Sequence, residues 1–301
     1  EFEQMELEYF VKPDDRESKK TFEYFKQLRK KWYVDLGIRN KNLRFRDHEL
    51  KERAHYARFA TDIEYNSPFG WSEFEGIHHR GDWDLGRHKL AYKDPDPPAG
   101  GGEKYTPWVI ETSGGVDRAA LFFLLDSYAK DGDRVILKLH PKLAPYKVAV
   151  FPLVKNKPEI VKKARSVFDK LKLSLHSTWD ERGNIGKIYS SKDEIGTPWC
   201  VTVDYDTLSD DTVTVRDRDT AKQERVVIGK LEEYIENRRV QLICERLFEI
   251  ISEGFVDLAF IFIKENKLEM PSDDEGAFDV LIENKIISSE LGKRLQDARR
   301  M

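Results

Sequence analysis

Five residues within a ten-residue stretch are of types that do chemistry on a small charged ligand. In "VIETSGGVDR", residues 109–118, an apolar lead ends at Glu111, Gly114 and Gly115 follow, and an Asp117–Arg118 pair opens an apolar run, "AALFFLLDSYA". A carboxylate at a strand end can grip an ammonium. Glycines without a Cβ let the backbone approach another group. A helix starting at residues 116–118 would present free N–H groups and its positive dipole end, which favour an anion such as phosphate. Arg118 sits poorly for that dipole, so a guanidinium facing phosphates or stacked on a purine would give it a reason to be there. A plain strand–turn–helix whose glycines only make the turn has the same pattern, and the GxGxxG and Gly-Lys-Ser/Thr phosphate loops are both absent.

The elements that would hold these residues follow from periodicity. Residues 1–12 alternate as a strand, Met5, Leu7, Tyr9 and Val11 on one side and Gln4, Glu6 and Glu8 on the other. Residues 15–62 are expected to be mostly helical, with a first helix ending at Gly37. A strand and loop follow at 69–92, an exposed turn at 94–105, a strand at 107–111 and a helix at 116–130. From about Lys138 a second unit alternates strands ("YKVAVFPLV", "TPWCVTVDYDT", "DTVTVRDRD") with helices ("KPEIVKKARSVFDKLK", "KLEEYIENRRV"), an α/β pattern. From about Gln241 the spacing of Leu242, Leu247, Ile250, Ile251, Leu258 and Phe262 is helical, with further helices over "GAFDVLIENK" and "SSELGKRLQDARR", the last one capped in the Ser288–Ser289 region. Domains are therefore expected at 1–137, 138–239 and 240–301.

Composition supports a folded chain. Its 301 residues hold 17 Phe, 12 Tyr and 6 Trp, enough for a real core. Two cysteines, Cys200 and Cys244, define no disulfide framework and point to a reducing, cytoplasmic setting. The most apolar run, residues 255–263, is short for a bilayer and contains Asp257. The net charge of −4 divides into −3, +4 and −5 over the three expected domains, and the basic middle is weak evidence for a polyanion partner there. No His, Cys or carboxylate spacing resembles a zinc site.

Beyond the individual residues, "ETSGGVDR" closely resembles motif 3 of class II glycyl-tRNA synthetases, and "EFEQMELEYFV" resembles the second strand of their motif 2. "DIEYNSPFGWSEFEGIHHRGDWDLGRH" is similar to the segment between the two, and the stretch from "KVAVFPLVKNK" to "AKQERV" to the family's anticodon-binding domain. Four blocks in order cover residues 1 to about 239. The resemblance implies an α/β (α+β) fold: a partial catalytic core on an antiparallel sheet, then an α/β anticodon-binding domain, then a helical segment. It implies ATP-dependent activation of glycine and transfer to tRNA(Gly), with ATP and Mg²⁺ as cofactors and no protein metal site beyond Mg²⁺ with ATP. Phe2, Glu3, Gln4, Met5 and Glu6 would line the amino-acid pocket, which Glu111, Thr112, Ser113, Gly114 and Gly115 would close. Glu73 and Phe74 would touch ATP, as would Gly115, Val116, Asp117 and Arg118. Arg118 and Glu111 would be the catalytic pair. In the second domain Lys187, Lys192, Arg216 and Arg218, read as exposed, would meet tRNA. The implied complete enzyme is a homodimer, with neither DNA nor a membrane as partner.

Two departures qualify the resemblance. Motif 1 and the first half of motif 2, with its phosphate-binding arginine, are expected upstream of Glu1. Loss of one such charge costs roughly a hundred- to a thousandfold in rate, so activity of this chain alone is uncertain; a non-catalytic tRNA-binding paralogue is the alternative. Residues 241–301 resemble the helical HEPN domains of HepT-like toxin proteins and stop before that family's RNase histidine, which leaves an RNA-processing module as a further alternative.

Overall fold

The computed structural model describes residues 2–93, 102, 104–271 and 273–300, in two compact units, 1–228 and 229–301. The turn expected at 94–105 lies largely outside the described residues. The first unit opens with a five-stranded antiparallel sheet in the order β1 (Gln4–Val11), β7 (Trp108–Gly115), β4 (Gly70–Gly81), β3 (Phe59–Ser67), β2 (Leu43–Asp47). Two small strands, β5 (Tyr92–Lys93) and β6 (Lys104–Tyr105), pair between β4 and β7 in the chain.

Two helices cover one face of this sheet. Helix α1 (Asp15–Asp35) starts where Asp14 accepts a hydrogen bond from Glu17 N at 2.8 Å, and it buries Ser18, Phe22, Phe25 and Tyr33, a stripe at helical spacing. Helix α3 (Val116–Ser127) adds Ala119, Phe122 and Phe123. Between them Phe74 is fully buried, stacked on Tyr33 at 3.9 Å and edge-on to Phe122 at 5.0 Å. Beneath the sheet Arg29 donates to both oxygens of the buried Glu75, at 2.6 and 2.9 Å, and Tyr33 Oη donates to Oε2 at 2.5 Å. Burial, then the Glu75 charge, drives the Tyr33 hydroxyl pKa upward. The short helix α2 (Trp83–Arg87) follows β4.

Of the helical run expected over 15–62, only α1 is α-helical, with one 3-10 turn at Asn40–Asn42. Residues 43–47 and 59–67 are strands, because Leu43, Ile63 and Tyr65 are buried only when β3 is paired on both sides, and that pairing outweighs local helix propensity.

His79, at the far end of β4, is fully buried between Phe59 and Trp108, with ring centroids 5.7 and 5.5 Å away. Its Nδ1 accepts from Gly81 N at 3.1 Å, and Nε2 has no partner. Burial, with the Arg58 charge adding to it, pushes its pKa down to about 4. The unfolded chain therefore binds a proton that the fold excludes. This contribution is complete above the ordinary histidine range and is lost as pH falls toward 4, by about 2 kcal/mol between pH 7 and pH 5. Urea unfolding at the two pH values should show that loss, and His79→Leu should flatten it.

A hairpin, β8 (Tyr128–Asp131) and β9 (Arg134–Leu137), leads to the second sheet. Its order is β11 (Ser177–Trp179), β10 (Val148–Pro152), β12 (Trp199–Val203), β13 (Thr212–Asp217), β14 (Gln223–Val227). β10 runs parallel to both β11 and β12, and the other neighbours are antiparallel. β10 and β12 are buried along their whole length, as strands covered on both faces must be. Helix α4 (Pro158–Leu171), with proline in its first turn, buries Ile160, Ala164, Val167 and Leu171; α5 (Ile185–Glu194) packs Ile188 on Ala149, Phe151 and Cys200, and the one-turn α6 (Thr207–Asp210) follows β12. Cys200 is buried here as a free thiol, and burial pushes it up to about 12.

The second unit holds α7 (Leu231–Glu265), α8 (Asp274–Glu283) and α9 (Ser289–Arg300). α7 runs unbroken through residues 239 and 240, where a boundary was expected. Val256, Ala259 and Ile263 of α7 pack on Ala277, Phe278 and Leu281 of α8. Ser288 Oγ accepts from Leu291 N at 3.1 Å, the expected cap of the last helix.

Candidate active site

The face of the first sheet opposite α1 is the floor of an open cleft of about 690 Å³. Register builds it. Gln4 lies opposite Gly115, Glu6 opposite Ser113 and Glu8 opposite Glu111 on β1 and β7; Gly76 and His78 of β4 lie opposite Ser113 and Glu111 from the other side. Side chains two apart share a face, so Gln4, Glu6 and Glu8, Glu111 and Ser113, and Gly76, His78 and Arg80 all front the cleft. Glu73, Asp117, Arg118, Glu3 and Phe2 close its rim, and Tyr56 one side. The lining holds six carboxylates against two guanidiniums, a field that attracts cations.

Two linked groups organise the floor. Gln4 Nε2 donates to Ser113 Oγ at 3.2 Å, and Ser113 Oγ donates to Glu6 Oε1 at 3.4 Å. Arg80, stacked over Tyr56 at 4.3 Å, donates to Glu111 Oε2 at 2.5 Å and to Asp84 Oδ2 at 2.8 Å. His78 Nδ1 stands 3.5 Å from Glu111 Oε1; that is an electrostatic contact rather than a formed hydrogen bond, and the nitrogen has no other partner. The His78 contact, with the Arg80 charge and against burial, holds Glu111 below the usual carboxylate range. At the rim, Arg118 in the first turn of α3 donates to the Glu73 carbonyl at 3.1 Å and lies 3.6 Å from the Glu73 carboxylate, its side chain half exposed. Val116 N donates to Glu3 O, tying the start of α3 to the start of β1.

The expected site residues divide cleanly. Phe2, Glu3, Gln4, Glu6, Glu73, Glu111, Ser113, Gly115, Asp117 and Arg118 surround one cleft. Met5, Thr112 and Gly114 alternate to the opposite face, where a Cβ on Gly114 would meet Tyr33 Oη at 3.4 Å and Glu75 Oε2 at 3.5 Å. The Phe74 ring is core, and neither Phe74 nor Val116 is in the lining. Glu8, Tyr56, Gly76, His78 and Arg80 join the site unanticipated. "GIHHR" carries the same alternation as β1, so a strand reading extended through residue 80 would have put 76, 78 and 80 on one face.

In the second domain Lys187 is exposed, as expected, whereas Lys192, Arg216 and Arg218 are not. Lys192 Nζ donates to Asp180 at 3.0 Å with both side chains buried. Although burial opposes it, the Arg182 and Lys192 hydrogen bonds hold Asp180 down to about 2. Arg216 makes a bidentate bond to Asp193 at 2.8 and 2.9 Å, and Arg218 donates to Asp219 and to the carbonyls of Leu139 and Gly196. These three side chains hold the domain's interior, and the surface role expected for them is withdrawn. Among the described residues no cluster of three or more metal-ligating side chains is present, and no helix is long and apolar enough to cross a membrane.

Residues 147–238 match the family described as Anticodon binding domain, and residues 219–301 the one described as Ribonuclease HepT-like. The chain is 47% identical over 248 residues to a glycine–tRNA ligase of Caldanaerobacter subterraneus, covering 79% of this chain and 52% of that protein. It is 47% identical over 249 residues to one of Clostridium acetobutylicum, with the same coverage, and 45% identical over 258 residues to one of Streptomyces coelicolor, covering 80% and 55%. The chain thus spans about half the length of the curated relatives it matches. Over 79% of its length it is related to the glycine–tRNA ligases, and within that stretch residues 147–238 match the anticodon binding domain family.

Proposed function

We propose that this chain takes part in the ATP-dependent activation of glycine and its transfer to tRNA(Gly). The convergence of Glu6, Glu111, Ser113 and Arg118 on one acidic cleft supports this reading most directly. Glu6 and Glu111 receive the ammonium of glycine, with Phe2, Glu3 and Gln4 beside it. Glycine has no side chain to recognise, so selection rests on crowding around its α-carbon, which excludes a larger amino acid more strongly than apolar contact can select a smaller one. Arg118, Asp117, Glu73 and the Gly115 backbone face the nucleotide. ATP with Mg²⁺ would supply the α-phosphate that the carboxylate of glycine attacks, with pyrophosphate leaving, and Arg118 would meet the charge that develops there. Lys187 remains the proposed tRNA contact of the second domain, and a homodimer in the cytoplasm the proposed setting.

Glycine-dependent ATP–pyrophosphate exchange, together with filter binding of tRNA(Gly), tests this. Exchange with glycine and not with alanine is the expected result; tRNA binding without exchange would replace it with a non-catalytic tRNA-binding role. Lys187→Ala should lower the salt slope of tRNA binding by about one if it meets a phosphate. The match of residues 219–301 to the Ribonuclease HepT-like family supports RNA as the proposed contact of the tail, tested by cleavage of labelled tRNA.

A further inference from the structure

The carboxylate of Glu111 is approached from one strand on both of its oxygens. Arg80 takes Oε2, and His78 stands beside Oε1. The His78 ring is held there by what lies beneath it. A Cβ on Gly76 would fall 2.7 Å from His78 Cε1, a separation atoms do not tolerate, so the imidazole occupies space that only a glycine leaves open. Tyr56 lies edge-on to His78 at 6.3 Å and under Arg80 at 4.3 Å, so one ring borders both partners of Glu111. His78 Nδ1 is shielded from solvent and unbonded. Burying a polar atom without a partner is unfavourable, and the atom nearest it across the cleft is the carboxylate that fronts the ligand space.

We propose that His78 is a positioning residue for Glu111: with Arg80 it fixes the carboxylate that receives a ligand's primary ammonium group. This rests on the cleft's being the amino-acid site. The charged and titratable groups facing Glu111 are Glu8 from β1, His78 and Arg80 from β4 and Tyr56 from the segment before β3, with Asp84 of α2 behind Arg80. His78 and Arg80 act for ionisation of Glu111, against its burial. The ligand then meets a carboxylate already ionised and already oriented, so less order is imposed on binding.

The test uses the full chain with ¹³C-labelled glutamate carboxyls, the Glu111 resonance being the one that disappears in Glu111→Gln. His78→Phe keeps a ring over Gly76 and removes the nitrogen; His78→Asn places an amide nitrogen where Nδ1 stands. The Glu111 titration midpoint should move upward in His78→Phe and return toward wild type in His78→Asn. Glycine affinity, measured by calorimetry, should fall roughly fivefold in the Phe variant, the scale of a solvated electrostatic contact at that distance, and recover in the Asn variant. Circular dichroism confirms that each variant is folded, and if His78→Phe unfolds, His78→Ala takes its place in the comparison. A midpoint for Glu111 that does not move in the folded Phe or Ala variant overturns the proposal. If the midpoint moves as stated but glycine binds to none of the proteins, His78 positions Glu111 and it is the amino-acid reading of the cleft that fails.

Discussion

Asp193→Ala should destabilise the first unit by about 3–5 kcal/mol, the cost of breaking a buried ion pair by removing one partner. Asp193 is 1% exposed and Arg216 is 5% exposed. The carboxylate receives two bonds from Arg216 and a third, at 3.1 Å, from Arg134. Its removal leaves a guanidinium with no counter-charge between α5 and β13, and strips Arg134 of the bond that ties β9 to α5. Total stabilities of domains are about 5–15 kcal/mol, so the loss is a large fraction of the whole. Urea unfolding followed by circular dichroism measures it. The double variant Asp193→Ala/Arg216→Met should recover much of the loss, because it removes the stranded charge and fills its volume with an apolar chain. A change within about 0.5 kcal/mol for Asp193→Ala, the range of ordinary surface substitutions, would contradict the buried pair.

That pair also marks where reading residues along the chain stopped being informative. Arg216 lies on "TVTVRD", whose alternation suggests one wet face. Yet β13 is an interior strand, paired on both edges, and at Arg216 the expected wet face is closed by Asp193 of α5. Lys192 carries a clearer signal: Ile185, Ile188 and Lys192 fall on one face of α5, which puts the lysine on the buried stripe. In the first sheet the reverse holds. The alternation of Gln4, Glu6 and Glu8, and the strand-to-helix turn at Gly115, are local features, and both elements form where periodicity put them. What places Glu8, Glu111 and His78 in one row is strand register, set by pairing of β7 with β1, about a hundred residues away, and with β4, about thirty away. No local pattern encodes that distance, so Glu111 and Arg118 were legible as candidates from their own stretch, Glu6 only through the family resemblance, and their partners Arg80 and His78 not at all.

Arg118→Ala separates the chemistry of the cleft from its architecture. The Arg118 side chain is half exposed, and its bonds are to the backbone and carboxylate of Glu73, itself half exposed. Surface pairs of this kind contribute little to stability, so the unfolding midpoint should stay within about 0.5 kcal/mol of wild type. The effect on rate should be of another order. On the proposed reading, a guanidinium held at the mouth of the cleft, beside the start of α3, would meet phosphate charge as it develops, and removing one such preorganised charge costs roughly a hundred- to a thousandfold in rate. Glycine-dependent ATP–pyrophosphate exchange reads that loss. Arg118→Lys should recover only part of it, since an ammonium keeps the charge but not the planar fork that engages two oxygens at once. Exchange by Arg118→Ala at the wild-type rate would remove Arg118 from the reaction and leave its contact with Glu73 as its only role. A fall in stability matching the fall in rate would instead make Arg118 a structural residue, and the half exposure of its side chain argues against that outcome.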